Sequence, residues 1–267
     1  MDTATTLPLV LSDERDGVLT LTLNRPDARN ALSCALMNDL QDALDGAAND
    51  SGLRVIIIAA KGTTFCAGHD LKEMTAARTG RDKGASHFRD LFGECSTLMK
   101  TIVFHPKPII AQVQGVATAA GCQLVASCDL AVASSAATFA TPGVNIGLFC
   151  STPMVATSRN MARKHAMEML LTGDFVDAKH AERIGLINRV VAPEKLEAET
   201  MALARKIAAK PHATVKIGKE AFYRQLEMKL SDAYDYASEV MTRNMMHAEA
   251  CEGIGAFIDK RDPKWPQ

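Results

Sequence analysis

KPIIAQVQGVATAAGCQLVASCDLAVAS, residues 107–134, decides the fold: an apolar strand runs into a loop of small residues, then a helix, then a second apolar strand. Ile109, Ile110, Ala111 and Val113 read as a buried strand that Gly115 ends, and Ala119-Ala120-Gly121 opens a helix carrying Cys122, Gln123, Leu124 and Val125. No side chain between Lys107 and Asp129 is charged, so what the loop offers is backbone. The first N–H groups of a helix have no intrahelical partner, and the helix dipole adds partial positive charge where they point. Such an end suits an anion or a carbonyl oxygen gaining negative charge. Small residues at Ala117, Ala119, Ala120 and Gly121 let a ligand approach the main chain closely.

A second segment, RVIIIAAKGTTFCAGHDLKEM at residues 54–74, repeats the layout: strand Val55 to Ala60, turn at Lys61-Gly62, a tight Cys66-Ala67-Gly68, then His69-Asp70-Leu71. Either segment alone is what any α/β protein contains. Two loops of one design, from neighbouring strands, can each aim an N–H group at a single oxygen.

Working outward, Gly17 to Asn24 alternates as GVLTLTLN, the pattern of a strand with one solvated side, and Arg25-Pro26-Asp27 breaks it. Asn30 or Ser33 caps a helix over Ala35 to Ala48 with a Leu36, Leu40, Leu44 stripe. Thr75 to Ser86 reads as a polar, mobile, solvated loop, with a gate over the site as the alternative. Helices follow at Phe88 to Val103 and Met161 to Leu171. Asp177 caps a further one running to Ile184. From Pro193 the pattern is helical only: 194–210, 212–226 and 231–247. The period supports α/β and nothing narrower. One core region over 1–192 and a helical region over 193–267 is the expected division.

Hydrophobic residues at 47%, charged residues at 23% and a net charge of -1 are globular values without the basic footprint of a nucleic-acid or anionic-membrane binder. The uncharged run Pro108 to Cys128 contains Gln112, Gln114, Gln123 and two glycines and reads as core, not as a membrane span. Seven cysteines, with no CxxC pair and no His/Cys cluster at zinc spacing, imply reduced thiols and no metal. Cys66, Cys122 and Cys150 fall in the candidate loops and read as small packing residues. The first residues lack an apolar run and are poor in arginine, so a cytoplasmic location is expected, with the mitochondrial matrix as the alternative if a presequence has been removed.

The chain resembles the crotonase, or enoyl-CoA hydratase/isomerase, superfamily over nearly its whole length. The resemblance rests on LNRPDARNAL at 23–32, FCAGHDLKE at 65–73, AAGCQLVASCDLAVAS at 119–134, FATPGVNIGL at 139–148, GLINRVV at 185–191 and FIDKRDPKW at 257–265. Each motif is weak alone; six in the family order are specific. The resemblance implies a crotonase-like spiral of stacked ββα units with a C-terminal helical region that assembles homotrimers or dimers of trimers.

It also implies a site. The family's oxyanion hole uses two backbone N–H groups, which fall here on His69 and Ala120. Neither role needs a particular side chain, and Ala120 in place of the usual glycine is tolerable if its φ is negative. Arg29, Ala31, Ala67 and His69-Asp70-Leu71-Lys72 match positions lining the CoA groove, and Phe257 and Lys260 match those meeting its adenine-nucleotide end. The partner implied is an acyl-CoA or enoyl-CoA, with CoA carried by the substrate and no separate cofactor. His69 has a second possible role, reaching the ligand or pairing with Asp70.

One departure bears on the reaction. Where hydratases of the family carry two glutamates, this chain has Gln123 and Gly143, and Val144 to Leu148 supply no carboxylate either. Glutamine accepts no proton at working pH and glycine offers no side chain, so the paired-carboxylate machinery is absent. Acyl-CoA chemistry by substitute groups (His69, Cys66, Cys122, Cys150 or Asn145), acyl-CoA binding without turnover, and a fold that has outlived its ligand are the readings left open. Signatures of serine hydrolases, P-loop or dinucleotide-binding proteins and zinc proteases are absent.

Overall fold

A computed structural model describes residues 7–265. The N-terminal composition read above for residues 1–6 lies outside the described residues.

The chain opens on an antiparallel hairpin, β1 (Val10–Arg15) and β2 (Val18–Leu23), turning at Asp16-Gly17, where both residues have positive φ. Helix α1 (Cys34–Ala48) follows, and then a strand, strand, helix unit repeats. The first repeat is β3 (Val55–Ala60), β4 (Thr64–Cys66), α2 (Leu71–Ala77) and α3 (Ala85–Phe104). The second is β5 (Ile109–Val113), β6 (Val116–Thr118) and α4 (Ala120–Ser127). The third is β7 (Leu130–Ser134), β8 (Thr138–Ala140), a 3-10 turn at Pro142–Ile146, α5 (Ser151–Asn160) and α6 (Arg163–Thr172). After β9 (Val176–Asp177), α7 (Ala178–Arg183) and β10 (Arg189–Val191) come α8 (Leu196–Ala208), α9 (His212–Gln225), α10 (Leu230–Met245) and α11 (Ala248–Ile258).

The first strand of each repeat joins a six-stranded sheet, β1-β2-β3-β5-β7-β10, and the second joins a four-stranded sheet, β4-β6-β8-β9. Advancing one strand in both sheets per repeat produces the spiral, and neighbouring first strands pair in parallel, as in Ile57↔Ile110 and Ala111↔Ala131.

Alternation assigns the faces of the large sheet. Leu19, Leu21, Leu23, Ile56, Ile58, Ile109 and Ala111 meet Leu36, Leu40 and Leu44 of α1 and Leu98 and Ile102 of α3 in the main core. Val18, Val55, Ile57, Ile110 and Val132 meet Leu196, Leu203 and Ala204 of α8. Each fully buried aliphatic side chain contributes about 1.5–3 kcal/mol. The face of β2 expected to be solvated is partly covered, because α8 lies against it.

Local expectations were mostly met. Ser33 Oγ caps α1 by accepting the Leu36 N–H at 3.2 Å, Asp177 caps α7 through the His180 N–H, and Gly173 ends α6 at φ +68°. Residues 75–86 are nearly all exposed, as expected of a solvated loop, but the loop is shorter than read and spans the turns at 78–84. Helix α2 runs to Ala77, and Asp82 accepts the N–H groups of Gly84 and Ser86 to start α3. None of the described helices is long and apolar enough to cross a membrane.

Candidate functional site

The first loop, Cys66 to Asp70, is stitched to the segment before α1. Asn30, fully buried with φ +51°, accepts the Arg25 N–H at 2.9 Å and donates to the carbonyls of Lys61 and Thr64. Leu32 and His69 form a parallel bridge in which Leu32 makes both bonds, donating to Gly68 O at 2.7 Å and accepting from Asp70 N at 3.2 Å. In that geometry the opposite residue turns its own N–H and C=O away. The His69 N–H therefore faces away from Leu32, and it has no protein acceptor among the described residues.

Asp70 then starts α2, accepting the N–H groups of Lys72 and Glu73 through Oδ1 and binding Arg25 through Oδ2 at 2.7 Å. Burial pushes its carboxyl up, but the Arg25 guanidinium and the two N–H groups outweigh this and hold it below its ordinary value. The expected alternative pairing of Asp70 with the His69 imidazole does not form. Arg25, which the sequence presents as a strand breaker, takes that place.

The second loop carries backbone strain one residue before the position anticipated. Ala120 is the first residue of α4 and is not among the residues with positive φ, whereas Ala119 sits at φ +51°, ψ -118°. Such a conformation costs an alanine about 1–3 kcal/mol. It lets Ala119 N–H close on Ala140 O at 3.0 Å while the chain turns into the helix, leaving the Ala120 N–H without a protein acceptor among the described residues.

The two loops touch. A Cβ on Gly68 would lie 2.9 Å from Ala119 Cβ and 3.3 Å from Ala120 N, and one on Gly121 would overlap the Cys66 carbonyl. Glycine at both positions is what allows this approach.

Four uncompensated polar atoms lie on these loops and just beyond them. Both imidazole nitrogens of His69, Gln123 Oε1 and Thr141 Oγ1 are enclosed and have no hydrogen-bond partner among the described residues. Thr141 follows β8, which pairs with β6 at Thr118↔Ala140; it lies within the FATPGVNIGL motif, but the resemblance assigns it no role. Burial lowers the His69 pKa, opposed by the nearby Leu32 carbonyl and Glu73 carboxylate, neither of which makes a hydrogen bond to the ring. His69 packs edge-on against Phe92 of α3, centroids 5.5 Å apart.

Gln123 is buried in α4 and Gly143 lies in the 3-10 turn after β8. Cys66 and Cys122 are fully buried, and burial pushes both thiols to about 12, so they are neutral packing groups. Cys150 is also buried, and burial raises its thiol too.

Among the residues matched to the CoA groove, Arg29 accepts the Ala67 N–H at 3.1 Å through its carbonyl, and the Ala31 carbonyl accepts Arg25 Nη1 at 3.2 Å. This brings Arg29, Ala31 and Ala67 to the same loop as His69 and Asp70, with Leu71 and Lys72 exposed beside them. Phe257 and Lys260 lie at the end of α11, which packs on α9 and α10 instead; Phe257 is exposed.

A separate cleft of about 280 Å³ opens at Asp129, Lys219 and Tyr223. Its polar groups are already committed. Asp129 accepts Lys219 Nζ at 2.7 Å, Tyr223 Oη at 3.0 Å and the Ile109 N–H at 2.7 Å, so the cleft reads as a structural network under α9.

Residues 13–267 match the family model described as Enoyl-CoA hydratase/isomerase. The chain belongs to this family. Its relatives include the mitochondrial enoyl-CoA hydratase domain-containing protein 3 of Mus musculus, 50% identical over 257 residues, covering 96% of this chain and 84% of that protein. Among solved structures, an enoyl-CoA hydratase of Mycobacterium smegmatis matches with TM-score 0.92 and 52% identity, over 97% of this chain and 99% of that one. Human enoyl-CoA hydratase domain-containing protein 3 matches with TM-score 0.91 and 46% identity, over 96% and 100%. The crotonase-like fold expected from the six motifs is therefore the fold of this family member.

Proposed function

We propose that the chain binds acyl-CoA thioesters and holds the thioester carbonyl oxygen at the backbone N–H groups of His69 and Ala120. The observation that carries this reading is that both groups lack a protein acceptor while the loops bearing them pack together at Gly68 and Ala119. Each such donor is worth about 2.7–4 kcal/mol of transition-state stabilisation. Arg29, Ala31, Ala67 and Asp70 to Lys72 form the near end of the CoA groove in this reading, with Phe257 and Lys260 meeting its nucleotide end. CoA arrives with the substrate and no further cofactor takes part.

Standard hydration is weak or absent, because Gln123 and Gly143 replace the two carboxylates. His69 is the substitute proton carrier: desolvation keeps its imidazole neutral at physiological pH and both nitrogens are unengaged. The absence of paired acids favours a second reading, an acyl-CoA-binding or regulatory protein without turnover.

The C-terminal helices, within 193–267, carry exposed Leu226, Leu230, Met241, Met245 and Met246, which suits a homotrimer or dimer of trimers. Relatives at 48–50% identity are named mitochondrial, which supports a mitochondrial location over the cytoplasm.

Isothermal titration against a panel of acyl-CoAs tests the binding claim, and absence of binding at millimolar ligand overturns it. Mass spectrometry of the incubated panel then separates enzyme from binder: new products establish turnover, and an unchanged panel favours the second reading.

A further inference from the structure

Three metal-ligating side chains far apart in sequence meet beside the first loop. Cys34 opens α1, Glu73 lies in α2 and His87 in α3. One donor atom of each (thiol sulfur, carboxylate oxygen, imidazole nitrogen) lies within 4.8 Å of the other two, and all three residues are half-buried. Glu73 Oε2 accepts the backbone N–H of Cys34 at 3.2 Å, which fixes the carboxylate beside the thiol. His87 Nε2 is enclosed and has no hydrogen-bond partner among the described residues. An enclosed imidazole nitrogen with no acceptor or donor opposite it is a cost the fold carries for no internal return.

We propose that Cys34, Glu73 and His87 bind a thiophilic divalent transition-metal ion of the zinc class, leaving a fourth position for water or a carboxylate. Thiolate, imidazole and carboxylate are the donor types such an ion takes in tetrahedral sites. Bond lengths of about 2.0–2.3 Å place tetrahedral ligand atoms about 3.3–3.8 Å apart, a contraction that side-chain rotation supplies. Binding releases the Cys34 proton to solvent, and thiolate plus carboxylate then balance the two positive charges, with no change of oxidation state. The ion would tie the N-terminus of α1 to α2 and α3, the helices that follow the His69 loop.

The test is titration of the full chain with Co²⁺, read by the thiolate-to-cobalt charge-transfer absorption and reversed by Zn²⁺. A thiolate band saturating at one ion per chain is expected. Cys34→Ser abolishes the band, His87→Gln weakens binding at least tenfold, within the roughly 10–100-fold range that loss of even an outer-shell partner costs, and Cys251→Ser, at an exposed thiol, changes nothing. No band in the native chain, or a band unaltered in Cys34→Ser or His87→Gln, overturns the proposal. Circular dichroism checks each variant, and if Cys34→Ser does not fold, His87→Gln decides.

Discussion

A Cβ placed on Gly143 would overlap the carbonyl oxygen of Leu148 and come within 2.9 Å of Cys150 Sγ. The Leu148 N–H in turn donates to the Gly143 carbonyl at 2.9 Å, closing the turn. In the proposed reading, one of the two positions that the resemblance assigns to a hydratase carboxylate is thus closed to any side chain. Gly143→Ala is expected to destabilise the fold by about 1–3 kcal/mol in thermal or urea unfolding, as overpacking does. Gly143→Glu should cost more and bring no hydratase activity. A folded Gly143→Glu variant that hydrates a short enoyl-CoA would contradict this account.

Gln123 is the other such position, and it is open to repair. Its Oε1 is enclosed without a partner, and glutamate is nearly isosteric. Gln123→Glu should raise hydration of a short enoyl-CoA by up to about 10²-fold, the low end for a single acid/base group whose partner is missing. Burial should place the new carboxyl above its ordinary value, visible in the pH–rate profile. No gain in a folded, ligand-binding variant would show that the missing acids are not what limits hydration.

Ala119 holds its φ of +51° at a cost that glycine would not bear. Ala119→Gly is expected to raise stability by about 1 kcal/mol in urea unfolding. A loss of stability would show that the Ala119 methyl packs more favourably than its backbone strains.

How far the sequence discloses this molecule depends on the length of each signal. The runs Ile109 to Val113 and Val55 to Ala60 are buried on both faces and are legible as strands. The caps Ser33 and Asp177 announce their helices by residue type. The four-stranded sheet is not legible, since β4, β6 and β8 have three residues each and three residues carry no period. β1 is a polar edge strand, α2 and α5 are short and bury only Met74 and only Pro153 and Thr157, respectively, and α11 follows α10 with only Met246 and His247 between. At the candidate site, His69, Ala120, Gln123 and Gly143 stand out through motifs. The Arg25–Asp70 pair, the Asn30 bonds to Lys61 and Thr64 and the Cys34, Glu73, His87 cluster do not, because they join residues 14 or more positions apart that no local pattern connects.

Stability should fall on the acid side because burial lowers the pKa of His69 and His105. His105 Nδ1 accepts the Lys107 N–H at 3.1 Å and Nε2 lies 3.0 Å from Leu44 O, an arrangement that fits the neutral ring. The unfolded chain binds these protons near pH 6.5 and the folded chain only below that. The stabilisation is therefore complete above about pH 6.5 and is lost as pH falls through the window beneath it. Urea unfolding across that window should show the slope, and His105→Gln should flatten it; an equal slope in the variant would remove His105 from the explanation.

Lys219 and Asp129 form a buried pair, their side chains 7% and 14% exposed. Lys219→Met would leave the Asp129 carboxylate with Tyr223 and a backbone N–H but no cation. A loss of about 3–5 kcal/mol is expected in urea unfolding. A loss below about 1 kcal/mol would mean that solvent entering the adjoining cleft replaces the ammonium.

The central claim is that two backbone N–H groups polarise a thioester carbonyl, and vibrational spectroscopy reads that polarisation directly. Isotope-edited infrared difference spectra of an acyl-CoA labelled at the thioester carbonyl carbon, free and bound, should show the C=O stretch moved to lower frequency on binding. A bound ligand whose carbonyl stretch stays at or above its value in water would contradict it.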